Sequence, residues 1–271
     1  MRRPIAEIVV IGNEILIGKT LDTNSHWLAK RLNQLGAELR QVTTVRDKHV
    51  EIARAVGSAI SRRPDFLLTV GGLGPTHDDI TVSSLGRLLG RPLVLNRDAL
   101  DLVRKRYIER FGPGVELTPP RVKMARFPAG AVPLPNPIGT APAPCLQIGR
   151  ITMIALPGVP REMQAIFRQS VAPMIGSFGG DRRFYDRSLL VLGIPESALS
   201  PIIDEVMKRN RGLYIKSHPR GIEKRGRARI ELHFQVMASS EKDANAHLMQ
   251  AVQTAQRKLR GKAIIRNVRK S

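Results

Sequence analysis

The sequence predicts an α/β protein: a parallel-type sheet in three layers with helices on both faces, followed by a smaller α+β domain. Three observations carry that expectation. Strand and helix patterns alternate through the first two-thirds of the chain. Two of the strands, Ile5–Ile11 and Phe66–Val70, are the near-continuous apolar runs required of a strand buried on both faces. A glycine-rich turn, Gly71 to Asp79, follows the second of them. With 271 residues the chain can build two cores. The glycines between Gly176 and Gly180 place the boundary, giving domains 1–178 and 179–271.

After the first strand, Thr23, Asn24 or Ser25 is positioned to cap a helix whose Leu28, Leu32 and Leu35 recur at helical spacing until Gly36. A strand near Leu39 to Val45 follows, then a helix carrying Ile52, Val56, Ala59 and Ile60, then the strand that enters the glycine turn. Val82, Leu85, Leu88 and Leu89 mark the next helix, and Leu100 to Phe111 another. Gly112 to Pro144 is rich in Pro and Gly and reads as a long functional connection. A hairpin-like pair, Cys145–Ile148 and Ile151–Leu156, precedes a helix from Arg161 to about Val171. Beyond the boundary the pattern gives a strand at Ser188–Leu192, a helix from Glu196 to Met207, strands near Leu213–Lys216 and Ala228–Val236, and a helix from Glu241 to Leu259.

Composition narrows the function classes. At 42% hydrophobic and 25% charged residues the chain is globular, and no apolar run reaches the roughly 18 residues of a membrane span. Glu7 and Glu14 interrupt the N-terminal apolar stretch, which argues for a strand rather than a signal peptide. A single cysteine, Cys145, cannot close an intramolecular disulfide, so a soluble cytoplasmic protein is expected, with Cys145 as a small apolar filler. The net charge is +21, and residues 181–271 hold 20 Lys+Arg against 9 Asp+Glu, a denser excess than in the rest. Such a field attracts phosphates without naming their carrier.

In open parallel sheets ligands gather beyond the carboxyl ends of the strands. Gly12 to Thr20, Asp47 and Gly71 to Asp79 fall there. Gly71, Gly72 and Gly74 permit positive φ and let backbone N–H groups approach an anion ahead of a helix N-terminus. Asp78 and Asp79 admit two readings, helix capping or a divalent cation between the carboxylates and bound phosphate. His77 reads as a surface loop residue. Gly12 to Thr20 is not a Walker loop, because five bulky residues separate its glycines where that motif has four. Gly72-Leu73-Gly74 leads to His77 where a dinucleotide fingerprint needs glycine or alanine.

Five motifs in order resemble the molybdopterin-binding-like domain of the competence/damage-inducible CinA family, itself related to MoaB, MogA and MoeA and to the N-terminal domain of eukaryotic FAD synthases. They are Ile11 to Leu16, Asp22 to Ser25, Gly71 to Asp79, Asn136 to Ala141 and Leu156 to Met163. The resemblance implies a MoaB/MogA-like fold and a nucleotide or pterin phosphate as ligand. It also implies metal-dependent hydrolysis of a nucleotide pyrophosphate such as ADP-ribose; the alternative is a molybdopterin-binding or adenylylating protein of molybdenum-cofactor metabolism. By the same analogy Asp78, Asp79 and Glu14 are the catalytic candidates, with Asp78 and Asp79 holding a divalent metal of the Mg²⁺ kind. Asn24, Asp47, Gly71, Gly72, Gly74, Thr76, Asn136, Gly139, Gly158 and Glu162 are the binding candidates. Molybdopterin is expected as a ligand only under the alternative. Asn13 stands where the family has Asp, which removes one carboxylate. The amidohydrolase domain of full-length CinA proteins has no counterpart, so nicotinamide-nucleotide deamidation is not implied. Relatives are homo-oligomers, and a dimer is favoured.

The C-terminal module resembles the family's second, KH-like domain, through Gly193 to Ser197 and Tyr214 to Pro219. Its basic cluster, Lys224, Arg225, Arg227 and Arg229 beside Gly221 and Gly226, makes an RNA-binding protein the third reading. Four residues separate those glycines where a KH clamp needs two, and aromatics are 4% of the chain, so a solvated basic loop is favoured. The strand Arg229 to Val236 is a candidate oligomer contact.

Overall fold

The computed structural model describes residues 2–179, 183–222 and 228–267. The chain divides into two compact units, residues 1–180 and 181–271.

The first unit runs β1 (Ile5–Ile11), α1 (Asn13–Leu16), α2 (Thr23–Gln34), β2 (Glu38–Val45), α3 (His49–Ser61), β3 (Phe66–Val70) and α4 (Thr81–Leu88). It continues through β4 (Leu93–Leu95), α5 (Arg97–Phe111), α6 (Pro119–Lys123), β5 (Arg126–Pro128) and β6 (Val132–Leu134). β7 (Ala143–Ile148), β8 (Ile151–Leu156), α7 (Pro160–Ile166), a π-helical turn (Phe167–Val171) and α8 (Ala172–Gly179) complete it. The main sheet has the order β2-β1-β3-β8-β7-β6. Its first four strands are parallel, and β7 and β6 extend it antiparallel.

Successive residues of a strand point to opposite faces, so each central strand feeds two cores. Val9, Ile11, Leu67 and Met153 meet Ile52 and Val56 of α3, Leu85 of α4 and Val103 of α5 on one side. Ile8, Val10, Leu68 and Ile154 meet Leu28 and Leu32 of α2 and Met163 and Ile166 of α7 on the other. Burial on both faces is why these strands lack polar alternation, and it sets the helix–sheet–helix layering.

Four details differ from the sequence expectation. Asp22, not a residue of 23–25, caps α2, its carboxylate accepting from Ser25 N–H at 2.9 Å. The Pro/Gly-rich stretch 112–144 contains α6, β5 and β6, elements of three to five residues that are too short to show a period. β5 pairs with β4, a strand also missed, in a two-stranded sheet. The helix begun at Pro160 does not stop near Val171 but passes through the π turn, with Ala172 N–H reaching Phe167 O, into α8; Pro173 cannot donate in the next position.

The second unit runs β9 (Arg183–Leu192), α9 (Glu196–Arg209), β10 (Leu213–Ile222), β11 (Ala228–Ala238), α10 (Glu241–Leu259) and β12 (Ile264–Asn267). The strand order is β10-β11-β9-β12, all antiparallel, and the connectivity of the module read as KH-like is that of a split β-α-β unit. Leu199, Ile203, Leu248 and Val252 of the helices cover Leu189, Val191, Leu232 and Phe234 on one sheet face. β11 is hydrogen-bonded on both sides, so Arg229–Val236 cannot mediate an oligomer by edge pairing. Lys224, Arg225, Gly226 and Arg227 lie outside the described residues. No helix among the described residues is long and apolar enough to cross a membrane.

Glu7 is 1% exposed on β1 and accepts from Arg62 Nε at 3.0 Å and Nη2 at 2.6 Å, with Arg40 at 3.7 Å. Removing the main partner strands a buried carboxylate. Arg62→Met is expected to lower unfolding free energy by about 3 kcal/mol, and Arg62→Lys by less. Urea denaturation checks this; equal, small losses for both variants would contradict it.

Candidate functional site

Beyond the carboxyl ends of β1, β2, β3 and β8 the connecting loops enclose a cleft of about 390 Å³. The turn after β3 forms its floor. Gly71 leaves the strand at φ +110°, and a Cβ there would lie 2.2 Å from the carbonyl oxygen of Ile11. Gly72 follows at φ +67°, where a Cβ would lie 2.2 Å from Thr81 Oγ1. Only glycine fits at either position. Thr81 fixes the turn to α4, its hydroxyl donating to Gly71 O at 2.8 Å and its N–H to Gly72 O at 3.3 Å. Gly71 N–H donates to Leu156 O at 2.9 Å, which ties the turn to β8. The next three N–H groups, of Gly72, Leu73 and Gly74, find no protein acceptor among the described residues. All three residues line the cleft.

The acids close the far end of this loop. Asp79 Oδ2 accepts from Thr76 N–H at 2.9 Å and from Thr76 Oγ1 at 2.5 Å, and Asp78 Oδ1 also receives that hydroxyl. α4 is capped by Ile80 without a side-chain bond, so neither aspartate acts as its cap. The hydrogen bond from Thr76, with help from the charges of His77 and Lys123, holds the Asp78 carboxyl below the usual aspartate range. His77 is exposed, as expected of a loop residue.

Around the rim, Glu14 reaches the cleft from α1, and Asp47 follows β2, its Oδ2 accepting from Asn13 N–H at 2.8 Å. The side chain of Asn13 is exposed and does not line the cleft. Asn24 Nδ2 donates to Gly158 O at 2.7 Å, so Asn24 braces the β8 turn from behind the lining. Glu162 enters from α7, and its carboxylate packs so closely on Gly139 that a Cβ there would lie 2.0 Å away. Asn136 is 4% exposed and fully engaged: its Oδ1 accepts from Ile138 and Gly139 N–H, and its Nδ2 donates to Ala141 O at 3.0 Å and Glu162 Oε2 at 2.7 Å. Asn136 and Gly139 therefore sit behind the lining and orient Glu162.

The structure thus brings Glu14, Asp47, Gly71, Gly72, Gly74, Asp78, Asp79, Gly158 and Glu162 onto one surface. Asn24, Thr76, Asn136 and Gly139 support it. The sequence reading missed Lys123 and Met124, carried on and just after α6: Lys123 Nζ donates to Thr76 O, and Met124 lines the cleft. It also missed Arg106 of α5, which binds Gly139 O at 3.0 Å and Pro137 O at 2.6 Å. The only signal for these was the Pro/Gly-rich composition of the segment they serve. Cys145 packs against the core, and burial pushes its thiol up, as suits a filler.

Among the described residues five carboxylates and no Lys or Arg line the cleft. An anion would meet repulsion there unless a cation came with it. Among the described residues no three His, Cys, Asp or Glu side chains form a ready-made metal cage. Asp78 and Asp79 both turn a carboxylate oxygen to the Thr76 hydroxyl, and these two would be the side chains to hold a cation if one bound here.

Fold and site together define an α/β protein with a cleft at the carboxyl edge of a mostly parallel sheet. Residues 7–177 match the family described as "Probable molybdopterin binding domain". The chain is 44% identical to a protein of Pyrobaculum arsenaticum over 244 residues, covering 90% of each. It is 42% identical to one of Pyrobaculum calidifontis over 256 residues, covering 94% of each. The crystal structure of the protein CinA from Thermoplasma acidophilum, whose function is described as unknown, matches with TM-score 0.59 and 37% identity. That match covers 64% of this chain and 98% of the other. The chain belongs to the molybdopterin-binding-domain family, and its N-terminal unit is of the CinA-like type that the five motifs resemble.

Asp78 gives a test of the loop geometry. A carboxyl with a depressed folded-state pKa contributes stability above its unfolded value, about 3.9, and that contribution is lost as pH falls through the folded value. In an NMR titration Asp78 is expected to stay ionised below about pH 3.9. Thr76→Val should move its midpoint upwards; identical midpoints would contradict the assignment.

Proposed function

We propose that the N-terminal unit binds the phosphate of a molybdopterin-type pterin on the Gly72–Gly74 amides, together with a divalent cation held by Asp78 and Asp79. The observation that carries this reading is that Gly72, Leu73 and Gly74, whose N–H groups have no protein acceptor among the described residues, line a cleft together with five carboxylates. The amides supply oriented positive partial charge at no reorganisation cost. The family match supports a pterin as the organic part. Gly71 and Gly158 both line the cleft, and a Cβ added to Gly158 would lie 3.5 Å from the Gly71 Cα. A single Cys145 favours a reducing cytosol as the setting.

A second reading, hydrolysis of a nucleotide pyrophosphate such as ADP-ribose, is favoured by one observation: Glu14 shares the cleft with the aspartate pair. Bound Mg²⁺ would neutralise phosphate charge and polarise the pyrophosphate. Asp78 and Asp79 would hold it, the glycine turn would fix the phosphate that remains bound, and Glu14 would accept the proton of the attacking water.

Calorimetry with molybdopterin, with and without Mg²⁺, tests the first reading. Binding should tighten with Mg²⁺, and Asp78→Asn should remove that dependence while leaving the protein folded. Gly72→Ala should weaken binding at least tenfold. Binding indifferent to both substitutions would refute the site. Incubation with ADP-ribose and Mg²⁺ separates the second reading: AMP release that Asp78→Asn abolishes supports hydrolysis, and its absence in the wild type sinks it.

A further inference from the structure

Both helices of the second unit pack on one side of its sheet, which leaves the other side uncovered by any described element of that unit. Register fixes what that side carries. Tyr214 of β10 stands opposite Gln235 of β11, Lys216 opposite His233, and His218 opposite Glu231. His233 is in turn opposite Ser188 of β9, and the ring nitrogen Nδ1 and Ser188 Oγ are 3.2 Å apart. These residues alternate with the buried Ile215, Leu232 and Phe234, so they share the open face.

Two properties of this face point the same way. It is rich in flat rings: Tyr214 is 55% exposed, and the His218 and His233 rings meet edge to face with centroids 4.8 Å apart. It is also basic. Lys216, Arg229 and Arg266 are exposed and the carboxylate of Glu231 is taken up by Arg220 Nε at 2.8 Å, which leaves the exposed Asp186, opposite Gln235, as the acid against these three cations. Along β10 the face-side residues recur about every 6.7 Å, so rings and cations are offered in a row rather than in a pocket. A pocket-binding metabolite does not need such a row; an extended polyanion with unstacked bases does.

We propose that this open sheet face binds single-stranded RNA. Lys216, Arg229 and Arg266 engage phosphates, Tyr214 and the histidine pair stack bases, and Gln235 and Ser188 offer the donors and acceptors that a 2′-hydroxyl meets. The surface belongs to the second unit and does not depend on the ligand of the N-terminal cleft. It also differs from a KH clamp, since it makes no use of the Gly221–Gly226 loop.

Fluorescence anisotropy of the full chain with a labelled oligouridine of about ten nucleotides tests it, a length within usual single-strand site sizes. Affinity should fall steeply with added salt. Tyr214→Ala should weaken binding roughly tenfold, by loss of a stacked base. Lys216→Glu with Arg229→Glu should weaken it more and flatten the salt dependence. All three positions are exposed, so the variants should keep the wild-type melting temperature, and Asp78→Asn should bind RNA normally. No binding at low salt overturns the proposal. So does equal binding of duplex or of the matching DNA strand, or salt-sensitive binding that survives Tyr214→Ala, because each would describe a general polycation rather than this face.

Discussion

The first unit depends on one steric constraint: between β3 and α4 the backbone passes through a gap with no room for a side chain. Gly71 lies against the Ile11 carbonyl and Gly72 against the Thr81 hydroxyl, each too close for a Cβ. Both have positive φ, so the turn reverses sharply, and Gly72, Leu73 and Gly74 line the cleft with N–H groups that have no protein acceptor among the described residues. Everything else at the carboxyl edge of the sheet is arranged around that turn. β1 supplies the carbonyl that bounds it, β8 the acceptor for Gly71 N–H, and α4 the threonine that latches it. The two apolar cores on either side of the sheet hold these strands in register, and so couple stability to the shape of the site.

Charge adds a second constraint. The protein carries a net +21, yet among the described residues the cleft is lined by Glu14, Asp47, Asp78, Asp79 and Glu162 and by no Lys or Arg. A strongly basic protein with an acidic site cannot be taking its anion by simple charge attraction. On the proposed reading the amides would give direction and the carboxylates would call for a counter-ion, so that ligand and cation would bind together. Lys123, bound to the Thr76 carbonyl, stiffens the loop from outside instead of contributing charge to the cleft lining. In the second unit Lys216, Arg229 and Arg266 lie on the open sheet face, and other basic side chains such as Arg209 and Lys258 lie on the helices.

Much of this was legible in the sequence because the signals were local. Ile5–Ile11 and Phe66–Val70 are strands with the bounds their apolar runs set. The glycine turn needed only its composition and its place after a buried strand. What was not legible depended on contacts distant in sequence. The aspartates look like helix caps until the structure shows both drawn to Thr76 and α4 starting at Thr81. Asn136 looks like a ligand residue, but its four hydrogen bonds go to its own loop and to Glu162, 26 residues away. Arg106 gives no local sign that it ties α5 to Pro137 and Gly139. Elements of three residues, such as β4 and β5, are shorter than any period that pattern reading can detect.

On the proposed reading the turn after β3 seats an anion on the amides of Gly72, Leu73 and Gly74. A crystal structure of the protein soaked with a pterin phosphate and Mg²⁺ tests it most directly. The account predicts phosphate oxygens within hydrogen-bonding distance of those three nitrogens, and the metal between phosphate and the Asp78 and Asp79 carboxylates. A phosphate bound elsewhere in the unit, with the three amides still facing solvent, would contradict it.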